Sequence, residues 1–322
     1  MLAGCSRATT KLDTEAEEAN PFPFETTTDQ PIEPLPLETD LERAKVELGE
    51  QLFREPGLSG DGKVKCTDCH LESHALADVE PHSKVAGRPE SPVNSPTMYN
   101  VRYLYKLGWS GRFDSLEAHI DALMKNPNVM ASSWEQAAAH LAGKAGYAER
   151  FRAVFPDGLT PGNVRAALIE YERSLVTPNA PFDRYLRGDA GAISADAKRG
   201  YALFKSYGCA SCHQGKAVGG NMLQRVGVMR DYFADRGGVK APDLGRYNVT
   251  KLERDRFVFR VPSLRNIALT APYFHDGSAL TLENAITVMA RYQLGRELEP
   301  DDVTLLAEFL RTLTGEYRGK AP

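Results

Sequence analysis

Apolar residues recur with a helical period along most of the chain from residue 41 onward. In residues 161–175 they form one stripe, with Thr160 suited to the N-cap and Pro161 to the first helical position. Stretches that alternate between apolar and polar residues are scarce. We therefore predict a mostly α fold, with helices over residues 41–54, 114–125, 133–154, 161–175, 194–206, 281–293 and 300–313.

One sequence plan occurs twice. Residues 96–100 (PTMYN) match residues 262–266 (PSLRN), and a glycine follows the proline 15 residues later in both halves, as Gly111 and as Gly277. A matching segment also precedes a cysteine cluster in each half (GEQLF and GYALF). This register predicts a duplicated domain, with halves at residues 41–190 and 191–322.

Residues 6–40 show neither a helical nor a strand period and are polar and proline-rich, which is typical of a disordered tether. Residues 2–5 (LAGC) resemble the lipobox of bacterial lipoproteins, in which the cysteine, here Cys5, is acylated. The apolar segment that should precede a lipobox is missing. We interpret the segment as the remnant of a lipoprotein signal, which predicts a periplasmic protein anchored through Cys5. The alternative is an ordinary disordered N-terminus with an unrelated cysteine.

Composition excludes several classes of protein. Hydrophobic residues make up 42% of the chain and mean hydropathy is -0.39, while no apolar run approaches the roughly 18 residues of a membrane-spanning helix. The formal net charge is -4 and no basic block is present, which argues against a nucleic-acid partner. Five cysteines are too few for a disulfide framework, and four of them lie in two clusters.

Each half carries one Cys-x-x-Cys-His motif. The two thiols can each form a thioether with a haem vinyl group, and the adjacent histidine can then bind the iron. A thioredoxin-like pair needs no following histidine, and a zinc site would gather its four ligands in one cluster. The sequence therefore predicts two covalently bound c-type haems, attached through Cys66, Cys69 and His70 and through Cys209, Cys212 and His213.

The two halves differ where a second iron ligand would stand. Met289, 12 residues after Gly277, can complete a Met/His pair that raises the potential and closes the iron, whereas the matching Leu123 cannot bind iron. We therefore predict an open first haem and a closed second haem. His119 lies one turn before Leu123, where the second half has Ala285. It could move a proton of bound hydrogen peroxide, ligate the iron, or be a buried histidine with a structural hydrogen bond.

Two further side chains are candidates for the chemistry. His82 lies in a polar loop after the first motif, from which a mobile segment could carry it over the first iron. Trp109 occupies the place of His275 in the repeat, and an aromatic ring between two haems would ease electron passage. The alternative for Trp109 is a core residue.

These residues resemble the bacterial di-haem cytochrome c peroxidase family, which also contains the di-haem enzyme that matures methylamine dehydrogenase. The likeness covers about residues 41–315 and is most specific in residues 261–267 (VPSLRNI) and 273–277 (YFHDG). The resemblance implies two tandem cytochrome c-like domains packed about a haem–haem interface. It also implies that Met289 is the sixth ligand, as in the peroxidases, since the maturation enzyme has tyrosine there.

The same resemblance implies further site residues. Trp109 corresponds to the tryptophan between the haems. A calcium ion between them would be held by Asn94 and by the carbonyls of Thr270 and Pro272, oxygen ligands that suit this hard cation. The resemblance also implies a homodimer.

The chain departs from the family on the peroxide side. The family's distal glutamine falls on His119, its catalytic glutamate on Val129, a distal proline on Leu123, and the histidine that blocks the resting iron on Ala86. Without a blocking residue, the first haem would be active without prior reduction. Loss of the glutamate removes a group that helps to break the O–O bond.

Three functions are compatible with these residues. In the preferred one, hydrogen peroxide becomes water at the haem on His70, His119 handles protons, and electrons from a small cytochrome c or cupredoxin pass through the second haem and Trp109. The second is an oxidase that modifies a partner protein or a small molecule. The third is an electron-transfer or redox-sensing cytochrome in which His119 or His82 closes the first haem.

Overall fold

The computed structural model describes residues 30–320 and residue 322, so that Cys5 and the predicted lipoprotein remnant lie outside the described residues. Two short strands, β1 (Leu223–Arg225) and β2 (Val258–Arg260), pair antiparallel. The α-helices of the described residues are α1 (Arg43–Phe53), α2 (Leu116–Lys125), α3 (Trp134–Ala142), α4 (Tyr147–Val154), α5 (Pro161–Ser174), α6 (Pro181–Leu186), α7 (Ala195–Ser206), α8 (Tyr232–Arg236), α9 (Tyr247–Thr250), α10 (Leu282–Gln293) and α11 (Pro300–Arg311). The prediction of a mostly α fold is confirmed.

Most of the predicted helices are present within a few residues of their expected ends. The exception is the single helix predicted over residues 133–154, which the structure divides into α3 and α4. Gly143 ends α3, and Gly146 precedes α4 with φ of +84°, a conformation that L side chains rarely adopt. The short helices α6, α8 and α9 were not predicted. In the described part of the chain, no helix has the length and apolar character needed to cross a bilayer.

The buried apolar side chains form two large clusters, one in each half of the chain. The first runs from α1 to α5, and its last fully buried member is Leu175. The second contains Ile32 and then runs from Phe182 through α7 and the start of α10 to α11. Helix α6, which the sequence analysis assigns to the first half, therefore packs with the second.

Equivalent glycines allow equivalent helix pairs to approach closely. Helix α1 packs on α5, and helix α7 packs on α11. A Cβ atom on Gly49 would lie 2.0 Å from the carbonyl oxygen of Ala167, and one on Gly200 would lie 1.9 Å from that of Leu305. Only a residue without a Cβ fits at these crossings. The repeat in the sequence is thus a repeat in packing.

Residues 30–36 lie against the second half. The side chains of Ile32 and Leu35 are 2% and 0% exposed, and the backbone N–H of Gly215 donates to the carbonyl of Pro31 at 2.7 Å. The predicted disordered tether is therefore wrong for this segment, because Ile32 packs in the second core cluster and Leu35 is fully buried. We call residues 30–36 the N-terminal strap.

The strap is also tied down by a buried ion pair. Arg265 and Asp183 have fully buried side chains, and Nη1 of the arginine lies 2.6 Å from the Asp183 carboxylate. Nη2 donates to the carbonyl of Glu33 at 2.9 Å, and Nε donates to that of Lys216 at 2.8 Å. One guanidinium therefore joins the strap, α6 and the loop that follows the second Cys-x-x-Cys-His motif.

A single hydroxyl group joins equivalent positions of the two halves. Asn100 and Asn266 both adopt left-handed backbone angles, with φ of +64° and +60°. The side-chain amide of each donates to Thr177 Oγ1, at 2.9 Å and 3.0 Å, and all three residues are 0% exposed. Thr177 lies between α5 and α6, on the connection between the two clusters.

Candidate haem-binding site

The two Cys-x-x-Cys-His motifs fold in the same way. Each begins with a single 3-10 turn, Cys66–Asp68 in the first half and Cys209–Ser211 in the second. The backbone N–H of the motif histidine, His70 or His213, donates to the carbonyl of the first cysteine at 3.0 Å in both. Each turn therefore holds two thiols and one imidazole together, as covalent attachment of a haem requires.

His70 is prepared to bind iron through Nε2. His70 Nδ1 lies 3.0 Å from the carbonyl oxygen of Leu76, so this nitrogen carries the proton and Nε2 keeps its lone pair. Burial lowers the pKa of His70, and it lowers that of His213 to about 4. Both rings are therefore neutral, which is the state that a metal ligand needs.

A largely apolar cavity surrounds the second motif. It is lined by Cys209, Cys212, His213 and Met289. Burial raises the pKa of the Cys209 thiol to about 11, which argues against a thiolate metal site and agrees with thioether attachment. These residues fit a haem c. That Met289 ligates the iron remains a prediction, although the structure brings it to the cavity that contains the motif.

Equivalent helices carry the residues that distinguish the two halves. Helix α2 is capped by Ser115 and carries His119 and Leu123, whereas α10 is capped by Thr281 and carries Met289. The cap oxygen accepts from a backbone N–H three residues later at 3.1 Å in both helices. The shared cap fixes the same helix register, so Leu123 occupies the position that Met289 has in the second half.

His119 lies beside the first motif and is neutral. Burial lowers its pKa to about 4, and the positive charge of Arg260 acts in the same direction. Its ring packs against Phe113, with the ring centroids 5.1 Å apart. Among the described residues, its ring nitrogens make no hydrogen bond, so the alternative of a structural hydrogen bond has no support. A neutral imidazole in this position can accept a proton.

The position of the family glutamate carries no carboxylate. Val129 is half-buried, and its carbonyl accepts a hydrogen bond from Arg88 Nε at 2.9 Å. A different carboxyl group, Glu172 on α5, is buried near the first motif and was missed by the sequence analysis. Burial and the negative charge of Glu117 raise its pKa to about 8. Its place one turn after Leu168, on the apolar face of α5, was the available signal.

His82 remains a candidate without a partner. Its Nδ1 is buried and makes no hydrogen bond within the described part of the chain. The ring is therefore not committed to a structural contact. Its predicted movement over the first iron remains a prediction.

Four residues at equivalent positions exchange backbone hydrogen bonds between the two halves. Asn94 N–H donates to the carbonyl of His275, and Arg260 N–H donates to the carbonyl of Trp109, both at 2.8 Å. Trp109 Nε1 also donates to the carbonyl of Asn94 at 2.8 Å, and its ring meets that of His275 edge-on. We call Asn94, Trp109, Arg260 and His275 the central exchange. It holds Trp109 between the halves, at the wall of the cavity.

The three residues predicted to hold calcium line the same cavity. Asn94 is 4% exposed and Thr270 is 9% exposed, and Pro272 follows in the same wall. Asn94 Nδ2 donates to the carbonyl of Glu80 at 3.1 Å, which leaves the amide oxygen to face a cation. The set offers only oxygen ligands, which suits calcium. Occupancy by calcium remains a prediction.

An acidic group next to the central exchange is already neutralised. Asp243, His275 and Asp276 place ligand atoms within 4.8 Å of one another, as at a metal site. However, the guanidinium of Arg236 contacts both carboxylates, and His275 Nε2 lies 2.7 Å from Asp243. Burial alone would raise the pKa of Asp243, but the Arg236 hydrogen bonds lower it to about 2. The group is a structural ion-pair network.

Comparison with known sequences agrees with this geometry. A family described as di-haem cytochrome c peroxidase matches residues 43–191. Cytochrome c551 peroxidase from Nitrosomonas europaea is 41% identical over 288 residues, which cover 89% of this chain and 85% of that protein. Cytochrome c peroxidase Ccp from Escherichia coli K12 is 39% identical over 289 residues, and here the match covers 89% of this chain but 62% of that protein.

A solved structure shares the fold. The crystal structure of a MauG-like protein associated with microbial copper homeostasis superposes with a TM-score of 0.76 at 26% sequence identity. The match covers 92% of this chain and 96% of that chain.

Proposed function

Since the chain belongs to the di-haem cytochrome c peroxidase family, we propose that it reduces hydrogen peroxide to water with electrons from a small cytochrome c or cupredoxin. Haem c bound at Cys66, Cys69 and His70 would supply the iron that binds and reduces the peroxide. One observation carries the proposal. Met289 shares a cavity with the second motif, whereas the equivalent helix of the first half presents Leu123 and a neutral His119.

His119 is the proton-transfer residue of this proposal. Its imidazole is neutral, half-buried and free of competing hydrogen bonds among the described residues. It can take the first proton of peroxide and return it to the departing oxygen atom. Glu172 keeps its own proton at neutral pH and does not serve as a base there. Leu123, on the same face of α2, leaves room for the oxidant.

The second half is the entry point for electrons. His213 and Met289 would hold its iron as a closed Met/His pair, which favours electron transfer over reaction with small molecules. Trp109, fixed by its hydrogen bond to Asn94, lies between the halves. Calcium on Asn94, Thr270 and Pro272 would stiffen this junction.

The wider arrangement belongs to the same proposal. The two core clusters would be two cytochrome c-like domains packed about a haem–haem interface, in a homodimer. The protein would act in the periplasm, where its electron donors and proteins with covalent haems are found. Lipid attachment would be through Cys5.

Peroxide kinetics with a reduced small cytochrome test the proposal. We expect a high-spin component in the oxidised spectrum and peroxide-dependent oxidation of the cytochrome. Replacing His119 with Ala should lower turnover by about 100-fold. The control is His140→Ala, because His140 Nδ1 donates to the carbonyl of Gly57 at 3.1 Å and the residue has no part in the proposed chemistry. A wholly low-spin protein that ignores peroxide would leave only the electron-transfer function.

The absence of a carboxylate at Val129 favours an oxidase as the second candidate. In that case peroxide is consumed while the small cytochrome stays reduced, and the oxidising equivalents go to a partner protein or small molecule. Val129→Glu should then raise oxidation of the cytochrome. If the native chain already oxidises it rapidly, this second function is excluded.

A further inference from the structure

Arg260 is a buried cation without an anion. The residue is 4% exposed, and no carboxylate of the described chain pairs with it. Its Nε makes no hydrogen bond within that part of the chain, and Nη1 reaches only the carbonyl of Val261, at 3.4 Å. Burial lowers the pKa of the guanidinium to about 10, so it still carries its charge at neutral pH. Proteins rarely leave a buried charge in this state.

A second buried arginine, Arg265, has the partners that a buried guanidinium normally requires. Arg265 lies five residues later, pairs with Asp183, and donates to two further carbonyl groups. Arg260 has no carboxylate partner and only one long contact with a carbonyl. The difference is therefore specific to the surroundings of Arg260 and requires a partner that enters its cavity.

The backbone of Arg260 is held at the junction of the two halves. Its N–H donates to Trp109 as part of the central exchange, and its side chain lines the cavity that contains His213 and Met289. Its charge also acts on His119 in the first half. The repeat places Arg260 where the first half has Asn94, the predicted calcium ligand. This position therefore carries a positive charge in the second half and a predicted ligand for a cation in the first.

We propose that Arg260 binds the carboxylate of a haem propionate in this cavity. Haem carries two such carboxylates, and a guanidinium fork matches a carboxylate with two parallel hydrogen bonds. The unpaired Nε and the terminal nitrogens are the donors of that fork. The inference rests on haem loading in the proposed function, and it does not depend on peroxide turnover.

The contact sets a reduction potential. A positive charge beside a propionate disfavours the more positive ferric iron, so removal of the charge should lower the potential of the haem that Arg260 contacts. Arg260 lines the cavity that contains His213, and its charge also acts on His119 beside the first motif. The predicted open and closed haems would differ in spin state, which would allow the two potentials to be measured separately.

Spectroelectrochemical titration of the haem-loaded Arg260→Gln chain tests the proposal. We expect the reduction equilibrium of one haem to shift about tenfold toward the ferric form, which is 59 mV for one electron. Arg225→Gln is the matched control, since Arg225 is exposed at the rim of the same cavity. It should leave both potentials unchanged. Unchanged potentials for both haems in Arg260→Gln would overturn the proposal.

A second variant covers a failure of Arg260→Gln to fold. Arg260→Lys keeps the charge and loses the fork, so it should load both haems and change the propionate band of one haem in the resonance Raman spectrum. An unchanged band overturns the proposal. Peroxide turnover of the wild type is measured on the same material. A potential shift without turnover refutes the peroxidase alone, whereas turnover without a shift refutes the Arg260 contact alone.

Discussion

Neutralising one partner of the buried ion pair between Arg265 and Asp183 should cost more stability than any surface change. Asp183→Asn keeps the shape of the side chain and removes its charge. Both side chains are fully buried and lie 2.6 Å apart, so water cannot replace the lost anion. The variant therefore leaves a buried guanidinium without its counter-ion.

Removing one partner from a buried pair typically costs about 3–5 kcal/mol. The carbonyls of Lys216 and Glu33 still accept two hydrogen bonds from Arg265, so we expect the lower end, about 3 kcal/mol. Asp196→Asn is the matched control, because Asp196 pairs with an arginine in an exposed contact. Exposed pairs contribute about 0.2–1 kcal/mol.

Guanidinium unfolding of the haem-loaded protein, followed by far-ultraviolet circular dichroism, measures both free energies. We expect the two variants to differ clearly in unfolding free energy at equal slope of the transition. If Asp183→Asn loses no more stability than Asp196→Asn, the buried pair does not hold the N-terminal strap in place, and the argument from burial is refuted.

Three further predictions concern single residues. Met289→Ala should lower the reduction potential of the second haem in a redox titration. Met229→Ala, which changes an exposed side chain, should leave that potential unchanged. Equal potentials in Met289→Ala and the wild type would exclude ligation by Met289. Burial raises the pKa of Glu172 from 4.5 to about 8, so the folded chain keeps a proton that the unfolded chain loses, and stability falls as pH rises between these values. Glu172→Gln should remove this pH dependence and add about 4 kcal/mol to the free energy of unfolding at pH 8, as measured by denaturant titration. A pH profile of stability parallel to that of the wild type would contradict the prediction. Gly200→Ala, against the facing carbonyl of α11, should cost more than about 2 kcal/mol of unfolding free energy. Gly162→Ala should be neutral or stabilising, because its Cβ would come no closer than 3.9 Å to Thr160 Oγ1. Similar values for the two variants would show that the helix crossing can adjust.

Local signals account for what the sequence predicted well. Helix α5 begins at Pro161 because Thr160 caps it, and both residues are visible in the sequence. The Cys-x-x-Cys-His turns are equally local. The apolar period continued through residues 143–146, so it hid the break that Gly146 makes between α3 and α4.

The remaining features depend on partners that are distant in the chain. Ile32 packs in the second core cluster and Leu35 is fully buried, although the sequence around both residues is typical of a tether. The isolation of Arg260 depends on what is absent around it, which no spacing reveals. The register of the repeat, which aligns it with Asn94, was the one available clue.

The hydroxyl of Thr177 links the two halves so that neither keeps all its buried hydrogen bonds without the other. It receives an amide from each half, and it belongs to the short connection between them. A fragment that ended at α5 would leave the buried amide of Asn100 without its acceptor, and one that began at α6 would do the same to Asn266. We therefore expect a backbone cut in this connection to yield two fragments that remain associated, with neither fragment soluble and haem-competent by itself.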